Sequence, residues 1–183
     1  ALDFDDMPET TLRGLAIEVE GHWRLIRELG VDHYENWMHN ARLEVERLAI
    51  ERVDGQSIIW CETTKGQGDS SFDDYSETQT TTRELTLCGI HDGGLECLQA
   101  VLAESEDVDV IPPELWEVPA GAGPKDPSHT AWQLAAHVGP DGRIVIVNRS
   151  DPIAALPLEL RGMPGSFTFA ALFGKPAFKP IWY

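Results

Sequence analysis

Near the start of the chain, apolar residues return at three- and four-residue steps: Leu12, Leu15, Ala16, Val19, Trp23 and Ile26. That spacing predicts an amphipathic helix over residues 7–29. Asp6-Met7-Pro8-Glu9 has the D-x-x-E form of a capping box with proline in the first turn, and Gly30 stands where such a helix would stop. Gly14 and Gly21 weaken it. Asp32-His33-Tyr34-Glu35 repeats the box and opens a second stripe through Tyr34, Trp37, Met38, Ala41, Val45 and Leu48. Together the two stripes predict an αα-hairpin.

Downstream the period shortens. Asp54-Gly55 lies between residues 48–53 and Ser57-Ile58-Ile59-Trp60-Cys61, and D-G between apolar runs is a hairpin signal. Residues 43–53 are therefore open to both helix and strand. Residues 65–77 have the polar composition of a solvated loop, 78–90 alternate as a half-buried strand, and 95–103 suit a short helix after Gly93-Gly94. Pro112, Pro113, Pro119, Gly121, Gly123, Pro124 and Pro127 mark residues 104–128 as an internal crossing loop. Two strands, 130–138 and 143–149, flank Gly139-Pro140-Asp141-Gly142, and a further strand is expected at 167–173. Pro176 and Pro180 make 174–183 an extended apolar strap. The expected fold is one α+β domain over residues 1–183, its N-terminal helical hairpin packed on an antiparallel β-sheet.

Charge adds a second layer to this picture. The first 110 residues hold 25 Asp and Glu against 8 Lys and Arg, whereas residues 111–183 hold 6 of each, so the whole net charge of −17 sits in the first part. Such a field repels nucleic-acid phosphates and anionic membrane surfaces, which argues against direct nucleic-acid or membrane binding, a DNA-reading use of the helical hairpin included. Six Trp, six Phe and three Tyr distinguish the chain from a disordered polyanion. Cys61, Cys88 and Cys97 form no C-x-x-C pair, so neither a disulfide framework nor a zinc site is expected. With an acidic N-terminus and no apolar run of membrane length, the expectation is a cytoplasmic protein.

Four constellations are candidates for chemistry. Glu18 with His22, and Glu35 with His39, have i,i+4 spacing, but the second pair falls off the apolar stripe and reads as a solvated face, so no metal or cofactor is implied. His91, Asp92 and Cys97 flank Gly93-Gly94, where a thiolate at a helix start with a neighbouring base would serve a small enzyme or a ligand pocket between helices and sheet. Asp69, Asp73, Asp74 and Glu77 interleave with Phe72 and Tyr75, a composition suited to a basic partner. Phe178, Trp182 and Tyr183 in the strap must bury against this chain or a neighbouring subunit, which allows an oligomer. The leading expectation is a non-enzymatic, acidic protein-binding module, such as an inhibitor, immunity-type protein or accessory subunit, covering a basic partner surface. A small enzyme or ligand-binding domain using His91, Asp92 and Cys97 is the alternative.

Overall fold

The computed structural model describes residues 12–19, 21–31, 33–35, 39–71, 76–110, 128–151 and 155–181. Strands β1 (Leu12–Val19) and β2 (His22–Val31) form a two-stranded sheet. A nine-stranded antiparallel sheet follows: β3 (His33–Glu35), β4 (His39–Val53), β5 (Gln56–Ser71), β6 (Ser76–His91), β7 (Gly94–Val110), β8 (Ser128–Val138), β9 (Ile144–Asn148) and β10 (Gly165–Phe167), with β11 (Lys179–Ile181) added on β7. Among the described residues the longest α-helix, α1 (Phe169–Leu172), has four residues, capped by the Thr168 hydroxyl accepting from the Ala171 N–H at 3.1 Å.

The N-terminal helical hairpin is thus corrected to strands. Bulges explain the misleading period. In β4 the apolar residues Ala41, Leu43 and Val45 alternate; the register then slips between Val45 and Arg47, and Leu48 and Ile50 alternate again. One extra residue turns a two-residue step into a three-residue step, which imitates a helical stripe. The β1–β2 hairpin has two such slips, after Arg13 and after Leu15. The helix expected at 95–103 is part of β7, and residues 104–110 of the expected crossing loop complete that strand. Residues 111–127 lie outside the described residues. Of the strand expected at 167–173, only Phe167 is strand, and α1 replaces the rest.

Turn chemistry was more faithful. Asp54-Gly55 closes β4 onto β5 with φ of 49° and 80°, and Asp92-Gly93 closes β6 onto β7 with φ of 48° and 82°. These are the paired left-handed conformations that two-residue hairpins need. The β8–β9 turn at residues 139–142 is also present, held by Gly142 N–H to the Gly139 carbonyl at 3.0 Å.

The main core lies on one face of the sheet. Trp60, Leu87 and Leu98 are directly paired across β5, β6 and β7, each fully buried, with Leu85 opposite Ala100 beside them. Residues paired across antiparallel strands share a face. The β8–β9 hairpin contributes Leu134, Ile144 and Ile146, and the C-terminal segment closes the core with Leu160, Met163, Phe169, Leu172 and Phe178. Gly89 lets that segment approach. A Cβ there would sit 2.2 Å from Ile58 Cδ1 and 3.1 Å from Phe169 Cε1, so the packing requires bare backbone.

The opposite face is covered at its centre, where Thr63, Glu84 and Thr86 are also buried, and open at the end near the Asp54-Gly55 and Asp92-Gly93 turns. Leu15 and Leu43 join Cys61, Cys88 and Cys97 in a small buried cluster there. Around it, Val45, Leu48, Ile50, Ile90 and Leu95 are exposed.

Candidate partner-binding site

The expected catalytic trio does not assemble. Cys97 is joined to Cys88 by a disulfide, which corrects both the expected absence of disulfides and the thiolate role of Cys97. The bond is possible because the two residues are directly opposite in the β6–β7 ladder, a proximity that sequence spacing alone does not reveal. Since Cys88 pairs with Cys97 on one face, His91, an odd number of positions from Cys88, projects to the other. There its ring stacks on Phe173 with centroids 4.0 Å apart, while Asp92 sits in the turn with Oδ2 3.7 Å from His91 Nε2. His91 is a packing residue against the C-terminal segment.

Among the described residues no three His, Cys, Asp or Glu side chains form a group able to hold a metal ion. Glu18 and His22 lie exposed on opposite strands of the β1–β2 hairpin. No helix among the described residues is long and apolar enough to cross a membrane.

An open cleft of about 450 Å³, which sequence patterning did not expose, lies where β8 meets β7. Arg83, Glu104, Trp132, Arg149, Ser150 and Asp151 line it. Arg83 Nη2 donates to the Leu134 carbonyl at 2.6 Å, and its buried Nε has no hydrogen-bond partner among the described residues. Ser150 Oγ accepts from the Gln133 N–H at 2.9 Å. The rim carries two cations and two carboxylates, so it presents no single sign of charge to a ligand.

The third constellation is positioned by the long β5–β6–β7 meander. Ser71 pairs with Ser76, so Asp69 and Glu77 flank the hairpin's tip. Phe72, Asp73, Asp74 and Tyr75 lie outside the described residues, as do Trp182 and Tyr183. Gln67 donates to Asp69 Oδ2 at 3.0 Å, and Gln79 donates to Glu77 Oε1 at 2.7 Å. Beside this tip β7 brings Glu106, Asp107 and Asp109, which the loop expected over 104–128 leaves unpaired with the tip. His129 Nδ1 is 2.5 Å from Asp107 Oδ1. The ladder register sets Glu77 directly opposite Asp109. Like charges in that relation destabilise a sheet, by up to about 1 kcal/mol.

Phe178 is corrected as a partner contact: it is 3% exposed and belongs to this chain's own core. The strap folds back because β11 pairs with β7, setting Pro180 opposite Leu98 and Ile181 opposite Cys97. Comparison with protein-family models, curated proteins and solved structures gives no match to this chain.

Proposed function

We propose that this chain is a non-catalytic protein-binding module whose acidic meander tip covers a basic surface on a partner. The observation that carries this reading is the Glu77–Asp109 opposition, reinforced by Asp69, Glu106 and Asp107 at the same end of the sheet. Folding tolerates a local electrostatic cost here, and departures from local consistency concentrate at functional surfaces. A lysine or arginine from a partner inserted between the two carboxylates relieves that cost in the complex and leaves it in the free chain. Long-range attraction from the acidic part also speeds encounter, with strong dependence on ionic strength.

The bonded Cys88–Cys97 pair supports an oxidising setting for the module instead of the cytoplasm. Nothing favours the enzymatic alternative, since His91 and Cys97 are directed to opposite faces.

The test starts with capture of partners on the full chain at low salt and their identification by mass spectrometry. Association kinetics of the captured partner are then measured against Glu77→Gln/Asp109→Asn and against the control Asp141→Asn/Glu159→Gln, which changes net charge equally. The tip variant is expected to slow association about tenfold at low salt while the control stays within about threefold. Equal slowing by both pairs, or no dependence on salt, would overturn the proposal.

A further inference from the structure

Outside the meander tip, β4 forms an edge of the sheet over most of its length. Strand β3 pairs only with Asn40, Ala41 and Arg42 of β4. From Leu43 to Glu51, β4 pairs with β5 on one side and with no strand on the other among the described residues, and at Asp54 the 139–142 turn closes on the edge. Edges are normally blunted by charged side chains, proline, a bulge or a covering element, and this one has a bulge at Glu46 and charges at Arg47, Glu51 and Arg52. Here it carries Leu48, 60% exposed, and Ile50, 75% exposed.

The sequence of this edge is a charge palindrome: Val45-Glu46-Arg47-Leu48-Ala49-Ile50-Glu51-Arg52-Val53. We propose that two copies of the chain pair antiparallel through β4 about a two-fold axis at Ala49, so that the sheet runs on from one copy into the other. In that register Leu48 faces Ile50, Arg47 faces Glu51 and Glu46 faces Arg52, each twice by symmetry. Ala49, the smallest side chain in the run, meets itself at the axis.

Neighbouring registers lose this match. Slipping the sum by one sets Glu46 against Glu51 in one direction and Arg47 against Arg52 in the other, and slipping by two leaves Arg47 opposite Ala49 or Val53. Register is strongly specified where only one alignment satisfies every pair.

The faces agree as well. Leu48 pairs with Cys61 and Ile50 with Ile59 across β5, on the face that is open toward the Asp54-Gly55 turn. The row Ile50, Ile59, Cys88, Cys97 and Ile181 crosses five strands there. Pairing sets the partner copy's Leu48 beside Ile50 and carries this apolar row across the junction. On the other face Arg47 and Glu51 form an ion pair within β4, with the Arg47 guanidinium 5.3 Å from the Trp60 ring centroid. Exchange of that pair between copies leaves no charge unpaired.

The joined segment is bounded at both ends. Glu46 is the bulge residue of β4, and beyond Arg52 the Asp54 N–H is engaged by the Gly142 carbonyl at 2.9 Å. Gly142 also lies against the Arg52 carbonyl, so backbone pairing covers residues 47–51, and Glu46 and Arg52 meet through their side chains at its two ends.

Sedimentation equilibrium of the full chain, loaded from about 1 to 100 µM, reads the association directly. A monomer–dimer equilibrium is expected. Glu46→Arg places arginine against Arg52 twice and is expected to weaken dimerisation about tenfold, as is Arg52→Glu through two glutamate pairs. The double variant Glu46→Arg/Arg52→Glu is expected to restore the dimer to within about threefold. The rescue has one source, because six positions along an extended strand place the two residues about 20 Å apart within a copy, so they meet only across the two-fold. Ile50→Lys, read with circular dichroism to confirm the fold, is expected to give a folded monomer. A wild-type chain that stays monomeric throughout, with or without another protein on this edge, would overturn the proposal, and so would a dimer indifferent to Glu46→Arg or a double variant without rescue.

Discussion

Adding one methyl group at Gly89 tests how the C-terminal segment is anchored. The Cβ of Gly89→Ala would meet Ile58 Cδ1 at 2.2 Å and Phe169 Cε1 at 3.1 Å, well inside carbon–carbon contact. Ile58 and Phe169 are both fully buried, so neither has solvent to move into. Overpacking of this kind costs about 1–3 kcal/mol. Ile58→Val removes the Cδ1 atom responsible for the shorter contact and by itself costs about 0.5–1.5 kcal/mol.

The two changes should therefore couple. In the double variant the alanine methyl occupies space the valine has vacated, so the combined loss falls short of the sum by about 1 kcal/mol or more. Urea unfolding followed by tryptophan fluorescence gives each value from the midpoint at constant slope. Hydrogen exchange at the Phe178 amide, which donates to the Lys175 carbonyl at 3.0 Å, reports whether loosening reaches the strap. Additive losses within about 0.5 kcal/mol would refute the packing argument, because independent sites behave that way.

Reduction of the Cys88–Cys97 disulfide, which spans nine positions in sequence, should lower stability by about 2.5 kcal/mol on the chain-entropy estimate, measured by urea unfolding with and without reductant. Glu77→Gln should raise stability by about 0.2–1 kcal/mol by removing the opposition to Asp109, a gain that thermal unfolding at low salt detects and high salt diminishes. Arg83→Met should cost about 1.5–3 kcal/mol, because the Leu134 carbonyl loses a charged donor at 2.6 Å; an unchanged melting temperature would show that water replaces the bond.

What the sequence made legible was local. Asp-Gly at 54–55 specified its own turn, because both residues tolerate positive φ and the flanking runs were apolar. The alternation at 130–138 and 143–149 located β8 and β9. The N-terminal third misled because a bulge changes the period without altering composition: Val45 to Leu48 is a helical step in sequence and a bulged step in the sheet. Proline and glycine after residue 111 drew the expected loop boundary too early, although Val108 and the acidic residues around it continue the alternation of β7. The site was hidden for a related reason. Asp69 and Glu77 stand out as a cluster, but the opposition of Glu77 to Asp109 depends on strand register, which only the β6–β7 pairing reveals.

The proposed antiparallel joining is also compatible with a charge of −17 on each copy. Along β4, His39 is level with Asp69 and therefore with the acidic tip, ten positions from the axis at Ala49. At about 3.3 Å per residue the tip lies about 33 Å from the axis, so antiparallel copies hold their tips about 65 Å apart at opposite ends of the joined sheet. That separation is several Debye lengths at physiological salt, where the screening distance is about 8 Å. A parallel arrangement would set the two tips side by side. The field that would draw the proposed basic partner therefore favours the antiparallel arrangement, and added salt is expected to weaken both associations, capture of the partner through the tip and the junction through its Glu46–Arg52 and Arg47–Glu51 pairs.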